Sequence, residues 1–496
     1  MDISPTPPTG SSRTALACAI LVSIFIALSL WDRAFDDPFI TYRYARNLAQ
    51  GAGFVYNPGE RVLSTSTPLF TLLLATVFPL WQDLPHLANL IGAFSLGIGG
   101  FFLWRLGNSW EMNLESWVLL LLYPTFPLIT GTLGSETPLY LALCLGAFAS
   151  YARENQLLAA TLSALAVLTR PDGALIPIIL SFYYVLKKHR LPSRKAIAIF
   201  GCLTLPWFVF AWIYFGHPLP ATLFAKHHQG ALPVSQHFLP GLATIASWYA
   251  KNLYFQLEIA LSIIGLAFVI WRKRQWAPLL AWVTVYSLAY QTLGVSRYFW
   301  YYAPLIPVFI ILVTLGLAFL AHIKDSPVLS VKLPALKNFS RWGPIAISVL
   351  LIGSQAQALR LARDQNSLIL PFYRSIGEWL NAHTPPDARV GMLEVGIIGY
   401  YAQRPVIDFA GLIQPDVAAQ MNPSTTYQDA ALWAVHQYQP EYVVLHANAF
   451  PDLEKGYIAQ NCLLVKIFPG QPYGYSTDMH IYDCQGHPTT KPSSGF

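Results

Sequence analysis

Charged residues are scarce in this sequence. Asp, Glu, Lys and Arg make up 11% of its 496 residues, whereas soluble domains average roughly a quarter. Hydrophobic residues account for 54%, and many apolar stretches approach the roughly 20 residues that span a bilayer as a helix. The composition excludes an ordinary soluble protein and predicts a polytopic membrane protein.

A concentrated basic surface is also missing, although the formal net charge is +6. Basic residues outnumber acidic ones in residues 1–360, and the reverse holds in residues 361–496. The basic residues lie in short loops between apolar segments, where orientation in the membrane explains them. The charge pattern therefore gives no support to nucleic-acid binding.

The first apolar segment, residues 14–31, has no small-residue cleavage site at its end, which favours a retained helix over a signal peptide. Ten further membrane helices are predicted from the apolar stretches. Their approximate bounds are 86–104, 116–131, 136–152, 155–169, 173–187, 196–215, 252–271, 276–294, 301–322 and 343–360. The prediction is an α-helical transmembrane domain of residues 1–360 with eleven crossings.

Basic loops predict the orientation, because Lys and Arg in short loops stay on the cytoplasmic side. Two predicted helices separate each pair of neighbouring basic loops, so all of these loops lie on the same side of the membrane. These loops are 187–195, 272–274 and the pair 324–332 and 337–341. The apolar stretch 67–82 is the shortest and contains two prolines, so we expect it to lie along or dip into the outer leaflet. The N-terminus is then cytoplasmic and the C-terminus is outside.

The sequence changes character after residue 361. Apolar residues at helical spacing, Leu368, Phe372, Ile376 and Leu380, lead into alternating strand-like and helical runs. The strand-like runs are Ala388–Leu393, Pro405–Phe409, Tyr442–His446, Cys462–Phe468 and Met479–Cys484, and the helical ones are 395–402 and 426–438. Residues 361–496 are therefore expected to form a small α/β domain outside the membrane, called the tail below.

Cysteines are few, five in all. Cys18, Cys144 and Cys202 fall in membrane segments and are interpreted as small apolar packing residues. If the last two strands form a hairpin in which Phe468 faces Met479, Cys462 and Cys484 lie within one position of facing each other. A compartment outside the membrane permits a disulfide there, whereas a register slip of one or two residues would separate the pair.

The first outer loop, residues 32–82, holds the most informative stretch. Pro38 after Asp37 suits the first position of a helix, and Gly51 suits its end. Arg43 and Arg46 share one face of this helix, so we expect it to lie on the membrane surface with its arginines beside lipid headgroups. In the simplest interpretation, Asp37 is only a helix cap and the arginines only bind headgroups.

The adjacent carboxylates of Asp36 and Asp37 also suit catalysis. Neighbouring negative charge raises the pKa of one carboxyl group toward the working range of a general base. Both aspartates are therefore candidate catalytic residues.

The run from Asp36 to Arg61, DDPFITYRYARNL followed by VYNPGE, resembles a pattern of bacterial GT-C glycosyltransferases, which take sugars from polyprenyl phosphate carriers. It is similar to the mycobacterial terminal arabinofuranosyltransferases and, more distantly, to protein O-mannosyltransferases and lipid A aminoarabinose transferases. Looser likenesses cover nearly the whole chain, at 134–140, 168–173, 216–220, 225–226, 297–298 and 394–401. Residues 63–66 and 220–222 depart from the family pattern, which leaves acceptor contacts there open.

The resemblance implies an inverting transfer of a sugar from a polyprenyl phosphate carrier to a glycan, lipid or protein acceptor outside the membrane. Such a reaction needs a base for the acceptor hydroxyl and cations for the departing phosphate. Asp36 or Asp37 would be the base. The donor-phosphate candidates are Arg43, Arg46, Lys226 and Arg297, and the acceptor-side or supporting candidates are Glu60, Glu136, Arg170 and Asp172. The tail would bind the acceptor glycan or brace the first loop.

Simpler roles remain open for several of these residues. Glu136 can favour the dipole at the start of a helix, and Arg170 and Asp172 can pair with each other. His217, His227 and His228 have no carboxylate at a defined metal-ligand spacing. No cofactor is therefore assigned, and a divalent metal stays possible without support from the sequence.

Two other functions remain as alternatives, a lipid-linked sugar transporter or flippase and a non-catalytic glycan-binding membrane protein. Transporters usually place ionisable residues near the middle of the membrane. Glu258 is the main candidate for such a residue, and it lies near the outer end of its segment. The sequence therefore favours the transferase.

Overall fold

A computed structural model describes residues 9–110, 112–272, 274–322, 334–364 and 368–485. A bundle of helices is followed by a small domain of mixed strands and helices, which confirms the predicted fold class. The predicted basic loop at 324–332 lies outside the described residues.

Ten of the eleven predicted crossings each overlap one α-helix of the bundle, whereas the predicted crossing 116–131 is divided at Phe126 into two helices. Within the described residues, the helices before the tail are α1 (Thr9–Ser29), α2 (Pro38–Ala49), α3 (Pro68–Val77), α4 (Leu84–Asn108), α5 (Asn113–Thr125), α6 (Pro127–Thr130), α7 (Thr137–Ala152), α8 (Gln156–Thr169), α9 (Leu175–Lys188), α10 (Arg194–Phe215), α11 (Ala221–Ala231), α12 (Phe238–Tyr249), α13 (Leu253–Arg272), α14 (Ala277–Thr292), α15 (Ile306–His322) and α16 (Pro334–Asp364). Short 3₁₀ turns cover Pro171–Ala174, Arg274–Trp276 and Phe299–Leu305. Helices α11 and α12 lie between predicted crossings and were not expected.

Several of these helices are long and apolar enough to cross a membrane. The six found among the described residues are Ser11–Ser29, Leu84–Asn108, Arg194–Phe215, Leu253–Ile270, Phe299–His322 and Trp342–Ala362. Helix α3 has only 10 residues, or about 15 Å at 1.5 Å per residue. It is too short to cross a hydrocarbon core about 30 Å thick. The chain is a multi-pass membrane protein.

The tail is built on one five-stranded sheet with the order β2-β1-β3-β5-β4. Strand β1 runs parallel to β2 and β3, and β5 runs antiparallel to β3 and β4. The strands are β1 (Val390–Met392), β2 (Val406–Asp408), β3 (Tyr442–His446), β4 (Leu463–Phe468) and β5 (Met479–Asp483). The helices are α17 (Ile369–His383), α18 (Ile397–Ala402), α19 (Pro415–Ala418), α20 (Tyr427–Tyr438), α21 (Pro451–Leu453) and α22 (Ala459–Asn461), with a π-helical turn at Glu454–Ile458 and a 3₁₀ turn at Gln471–Tyr473.

The last hairpin has the predicted register, because Phe468 pairs with Met479. A bulge between Leu464 and Lys466 then shifts the pairing by one residue. The shift brings Cys462 opposite Cys484, and the two form a disulfide. The disulfide prediction is confirmed, and the bulge explains why the simple register missed the pair by one position.

Candidate active site

A cavity of about 360 Å³ lies at the end of the bundle where α2, α7, α9 and α11 come together. Five predicted site residues line it, namely Asp37, Glu136, Arg170, Asp172 and Lys226. Trp300 and Tyr301 form part of its wall, and one tail residue, Leu412, also reaches it. Residues more than 130 positions apart in the sequence therefore share one site.

Asp37 faces this cavity from the position just before α2. Its Oδ2 atom lies 3.6 Å from Nζ of Lys226, and its side chain is 33% exposed. Within the described residues, the Asp37 side chain makes no capping hydrogen bond to α2. The carboxylate therefore does not cap the helix through its side chain; it lies at the cavity wall beside Lys226 and is partly exposed.

Lys226 is a buried cation beside that carboxylate. It lies on α11, and its Nζ atom is 3.8 Å from the centre of the Tyr298 ring, a cation–π contact. Burial lowers the pKa of Lys226, but the Asp37 carboxylate raises it, and the net shift is upward. The ammonium group therefore stays protonated and can hold an anionic ligand such as a phosphate.

Arg170 is fully occupied by other cavity residues. Its Nη2 atom lies 2.8 Å from Oδ2 of Asp172 and its Nη1 atom 3.3 Å from Oε1 of Glu136. Nη2 also donates to the Tyr290 hydroxyl, which in turn donates to Asp172. Arg170 and Asp172 do pair, as the simpler interpretation expected. Because two carboxylates neutralise Arg170, Lys226 is, among the described residues that line the cavity, the cation available to an incoming phosphate.

A wall of hydroxyl groups was missed at the level of sequence. Ser64, Thr65, Ser66 and Thr67 line the cavity together with Thr41. The Thr65 hydroxyl lies 3.2 Å from that of Thr41 and 3.1 Å from that of Thr67. The segment stood out only as a departure from the family pattern, but its four consecutive hydroxyl residues were a usable signal for polar ligand contacts.

Asp36 points away from the cavity, toward the tail. Its two carboxylate oxygens accept hydrogen bonds from the backbone amides of Gly396, at 2.9 Å, and Ile397, at 2.7 Å, where α18 begins. A side chain at position 396 would collide with the Asp36 backbone, so the glycine permits this close approach. Burial raises the pKa of Asp36 to about 7, although the Ile397 amide opposes the shift. Asp36 thus fixes the tail against α2.

Arg43 and Arg46 do not face lipid headgroups, and that expectation is wrong. Arg43 is 2% exposed and donates to the backbone carbonyls of Gly399, at 2.8 Å, and Arg404, at 2.6 Å. Arg46 donates to the carbonyl of Tyr400 and stacks on its ring at 4.4 Å. The physical reason is that the tail covers α2, so its polar face meets protein carbonyls. Neither arginine lines the cavity.

Other contacts of the first loop also hold the tail. Asn57 donates to the Val406 carbonyl and accepts from the Val406 amide, so it pairs with β2 as a strand would. The Tyr56 hydroxyl donates to the Val395 carbonyl. Of the two roles expected for the tail, bracing the first loop is the one these contacts display.

Two further candidates lie outside the cavity. Glu60 is exposed and accepts a hydrogen bond from Asn57. The Arg297 guanidinium stacks over the Trp248 ring at 5.1 Å and does not line the cavity. The structure therefore does not bring these two residues to Asp37.

The tail contributes to the cavity through one loop. Asp408, at the end of β2, accepts hydrogen bonds from the amides of Ala410, at 2.7 Å, and Ile413, at 3.0 Å, which folds the loop back. Burial raises the pKa of Asp408 to about 6. Gln229 of α11 donates to the Ala410 carbonyl. This loop places Leu412 at the cavity.

The remaining polar candidates make hydrogen bonds outside the cavity. His227 and His228 are hydrogen bonded to the carbonyls of Leu293 and Met421. Among the residues that the structure describes, there is no group of three or more His, Cys, Asp or Glu placed to hold a metal ion. Glu258 is buried in the bundle and accepts a hydrogen bond from Gln355, which accepts one from Thr125. That chain ties α13, α16 and α5 together.

Comparison with protein-family profiles gives a match that covers the tail. A family profile described as a domain of unknown function, DUF8728, matches residues 358–486. Curated proteins give no match to the sequence.

Solved structures resemble the chain over most of its length. ArnT from Cupriavidus metallidurans bound to undecaprenyl phosphate is 13% identical, with a TM-score of 0.61 over 96% of this chain and 98% of that one. The oligosaccharyltransferase AglB from Archaeoglobus fulgidus, in complex with an inhibitory peptide and a dolichol-phosphate, is 13% identical, with a TM-score of 0.61 over 90% and 70%. The arabinofuranosyltransferase AftD from mycobacteria is 15% identical, with a TM-score of 0.53 over 96% and 40%. At these identities the likeness shows a shared fold.

Proposed function

We propose that this chain, which has the fold of the GT-C glycosyltransferases, transfers a sugar from a polyprenyl phosphate carrier to an acceptor hydroxyl on the outer face of the cytoplasmic membrane. The observation that carries the proposal is the pairing of an open carboxylate, Asp37, with a buried cation, Lys226, in one cavity on this fold. Two proteins of the same fold bind undecaprenyl phosphate and a dolichol-phosphate, which supports a lipid phosphate as the leaving group.

The reaction is a single displacement at the anomeric carbon. Asp37 accepts the proton of the acceptor hydroxyl, and the oxygen forms a bond to the sugar as the bond between the sugar and phosphate oxygen breaks. The electron pair of that bond leaves with the phosphate, whose added charge is stabilised by Lys226. Attack from the side opposite the phosphate inverts the configuration.

Lys226 can change partners during this reaction. Its ammonium group lies 3.6 Å from the Asp37 carboxylate. A donor phosphate competes for the ammonium group, and the carboxylate is then free to take a proton. Binding of the donor would therefore activate the base.

The rest of the cavity suits a sugar. The hydroxyl wall at residues 64–67 offers donors and acceptors for sugar hydroxyl groups, and the carboxylates of Glu136 and Asp172 offer further acceptors. Trp300 and Tyr301 offer aromatic faces. We assign the acceptor and the transferred sugar to this part of the cavity, without naming either.

The proposed orientation has two supports. Helix α9 runs from Leu175 at the cavity to the basic loop that begins at Lys187, so this loop and the cavity lie at opposite ends of that helix. The disulfide between Cys462 and Cys484 in the tail fits an oxidising compartment. The N-terminus would then be cytoplasmic and the tail outside.

The test is a transfer assay with the full-length chain in lipid nanodiscs. The probes are decaprenyl phosphate carrying arabinofuranose, mannose or aminoarabinose, with glycan and lipid fractions of a bacterial envelope as acceptors, and the readout is release of decaprenyl phosphate. We expect Asp37→Asn to slow the release about 10²- to 10⁴-fold while binding of decaprenyl phosphate persists. Asp32→Asn, an exposed aspartate of the same loop, is the matched control.

Two outcomes would refute the proposal. One is release at the wild-type rate by Asp37→Asn, because Asp37 would then not be the base. That result would favour a structural role for the acidic pair, as in a transporter or a glycan-binding protein. The other is no release from any donor by a well-folded wild-type protein.

A further inference from the structure

We infer that the opposite end of the bundle binds an anionic phospholipid of the cytoplasmic leaflet. Two cavities of about 480 Å³ each meet there. One has three basic side chains in a lining that also contains aromatic and aliphatic residues, the other is almost entirely apolar, and Tyr151, Gln156 and Tyr184 line both. A cavity with a basic rim that continues into an apolar groove fits an amphiphile with a charged headgroup and acyl chains.

The basic cavity shares no lining residue with the proposed active site, whereas the apolar cavity extends along α9 as far as Ala174, which also lines the catalytic cavity. Helix α9 begins at Leu175, which lines the catalytic cavity, and ends at Lys188, which lines the basic cavity. Its 14 residues span about 21 Å at 1.5 Å per residue. The two ligands would therefore bind at opposite ends of the same helix.

The basic cavity has the chemistry of a phosphate site. Lys187, Lys188 and Arg190 line it. Lys188 pairs with Glu154 at 2.8 Å, whereas Lys187 and Arg190 have no carboxylate within 4.0 Å in the described part of the chain. The excess of positive charge, between helices and beside a predicted cytoplasmic loop, is the arrangement that binds anionic lipid headgroups.

The floor between the two cavities is ordered. The Tyr184 side chain is buried, and its hydroxyl accepts hydrogen bonds from Gln156, at 3.0 Å, and from Arg190, at 3.2 Å. Gln156 in turn accepts from the backbone amide of Ser193, at 2.8 Å. These bonds hold Arg190 at the junction of headgroup cavity and groove.

The apolar cavity runs between α8, α9 and α10. Its lining is formed by small and aliphatic side chains together with one ring, namely Ala159, Ala160, Pro177, Ile178, Ile197 and Phe200. Ile178 and Ile197 are 61% and 54% exposed, on helices that would lie in hydrocarbon. A soluble phosphate would leave this groove unused, so the observations favour a phospholipid.

The test is native mass spectrometry of the full-length chain with phosphatidylglycerol, phosphatidylcholine and undecaprenyl phosphate in competition. We expect one phosphatidylglycerol to be retained and the double variant Lys187→Gln with Arg190→Gln to weaken its binding at least tenfold. Arg194→Gln with Lys195→Gln is the matched control, because these cations lie at the start of α10, directly after the same loop, but line neither cavity. Ala160→Trp, which fills the groove without changing charge, should also expel the lipid.

Equal retention of phosphatidylcholine and phosphatidylglycerol would overturn the proposal, because the basic cavity would then not select charge. Displacement of the lipid by 10 mM inorganic phosphate would overturn it in favour of a soluble anion, and preferential retention of undecaprenyl phosphate in favour of a carrier lipid. Loss of binding in the control pair equal to that in the test pair would also overturn it. Thermal unfolding of each variant verifies that it is folded.

Discussion

The carboxylates of Asp36 and Asp37 are adjacent in sequence and serve different partners. Asp36 accepts two backbone amides of the tail, whereas Asp37 lies 3.6 Å from the Lys226 ammonium in the cavity. The acidic pair therefore combines an anchor with a candidate base. Each half of the pair can be tested on its own.

Removing the anchor should loosen the tail. Asp36→Ala removes the acceptor of two hydrogen bonds, so the amides of Gly396 and Ile397 lose their partner. Leaving buried donors without an acceptor lowers the free energy of unfolding by about 1–3 kcal/mol. We expect faster hydrogen exchange at the amides of Gly396 and Ile397 and a lower unfolding temperature. Asp387→Ala, at an exposed tail position, should change neither, and unchanged protection in the Asp36 variant would contradict the assignment.

Arg43 should behave as a structural residue rather than as a phosphate ligand. Arg43→Gln removes hydrogen bonds to the carbonyls of Gly399 and Arg404, and we expect a loss of about 3 kcal/mol of stability. The folded fraction should bind decaprenyl phosphate with unchanged affinity, measured by isothermal titration. Arg61→Gln, an exposed arginine of the same loop, is the control, and a selective loss of phosphate affinity would instead support the original prediction.

Lys226 should carry the affinity for the donor phosphate. Lys226→Gln leaves the phosphate without a charged donor, which corresponds to a loss of about 1.5–3 kcal/mol, or roughly 10- to 150-fold in the Kd for decaprenyl phosphate. Lys251→Gln, at an exposed position, should bind as the wild type does. Equal affinity in the Lys226 variant would remove the proposed phosphate site.

Glu394 should make stability depend on pH. Burial, reinforced by Asp36, raises the pKa of Glu394 to about 8 from 4.5. Between these values the folded protein holds a proton that the unfolded chain releases, so stability falls as the pH rises from about 5 to 8 and is flat above. The raised pKa values of Asp36 and Asp408 act in the same direction.

The matching variant is Glu394→Gln, which stays neutral at every pH. We expect its unfolding temperature to fall less steeply than that of the wild type between pH 5 and pH 8. A slope equal to that of the wild type, or stability that rises with pH in the wild type, would contradict this account.

The disulfide should stabilise the tail. Cys462 and Cys484 are separated by 22 positions, and a crosslink closing a loop of that size contributes about 3 kcal/mol through the unfolded chain. Cys462→Ser with Cys484→Ser, or reduction of the wild type, should therefore lower the unfolding temperature of the tail. Cys202→Ser, at an exposed free cysteine, serves as the control, and an unchanged tail transition in the double variant would refute the contribution.

Local patterns accounted for most of the fold. Apolar runs located the bundle helices because a membrane helix must be apolar along its length, and a short apolar run rich in β-branched residues located the strand Tyr442–His446 to the residue. The hairpin register followed from one pairing, Phe468 with Met479. Helix α11 was missed because it is short and mixed in polarity. Helix α12 was missed because its 12 residues are apolar but too few to predict a membrane crossing.

Local sequence patterns could not show which candidate residues line the cavity and which hold the tail. Arg43 contacts a carbonyl 356 positions away, and a backbone carbonyl is present at every residue, so the sequence carries no signal for that partner. Arginines that fit a phosphate equally fit buried carbonyls. Lys226 could be placed beside Asp37 only once α11 had a position in the bundle.

Helix α2 carries Asp37 at its start, and Arg43 and Arg46 two turns along grip the tail. A helix of twelve residues thus connects the proposed base with the contacts that hold the tail. A chimera that carries the tail of a relative on this bundle should be unstable unless residues 36–57 of the relative are transferred together with its tail. Substitutions in the loop and in the tail are likewise expected to change together during evolution, although roughly three hundred residues separate the two segments.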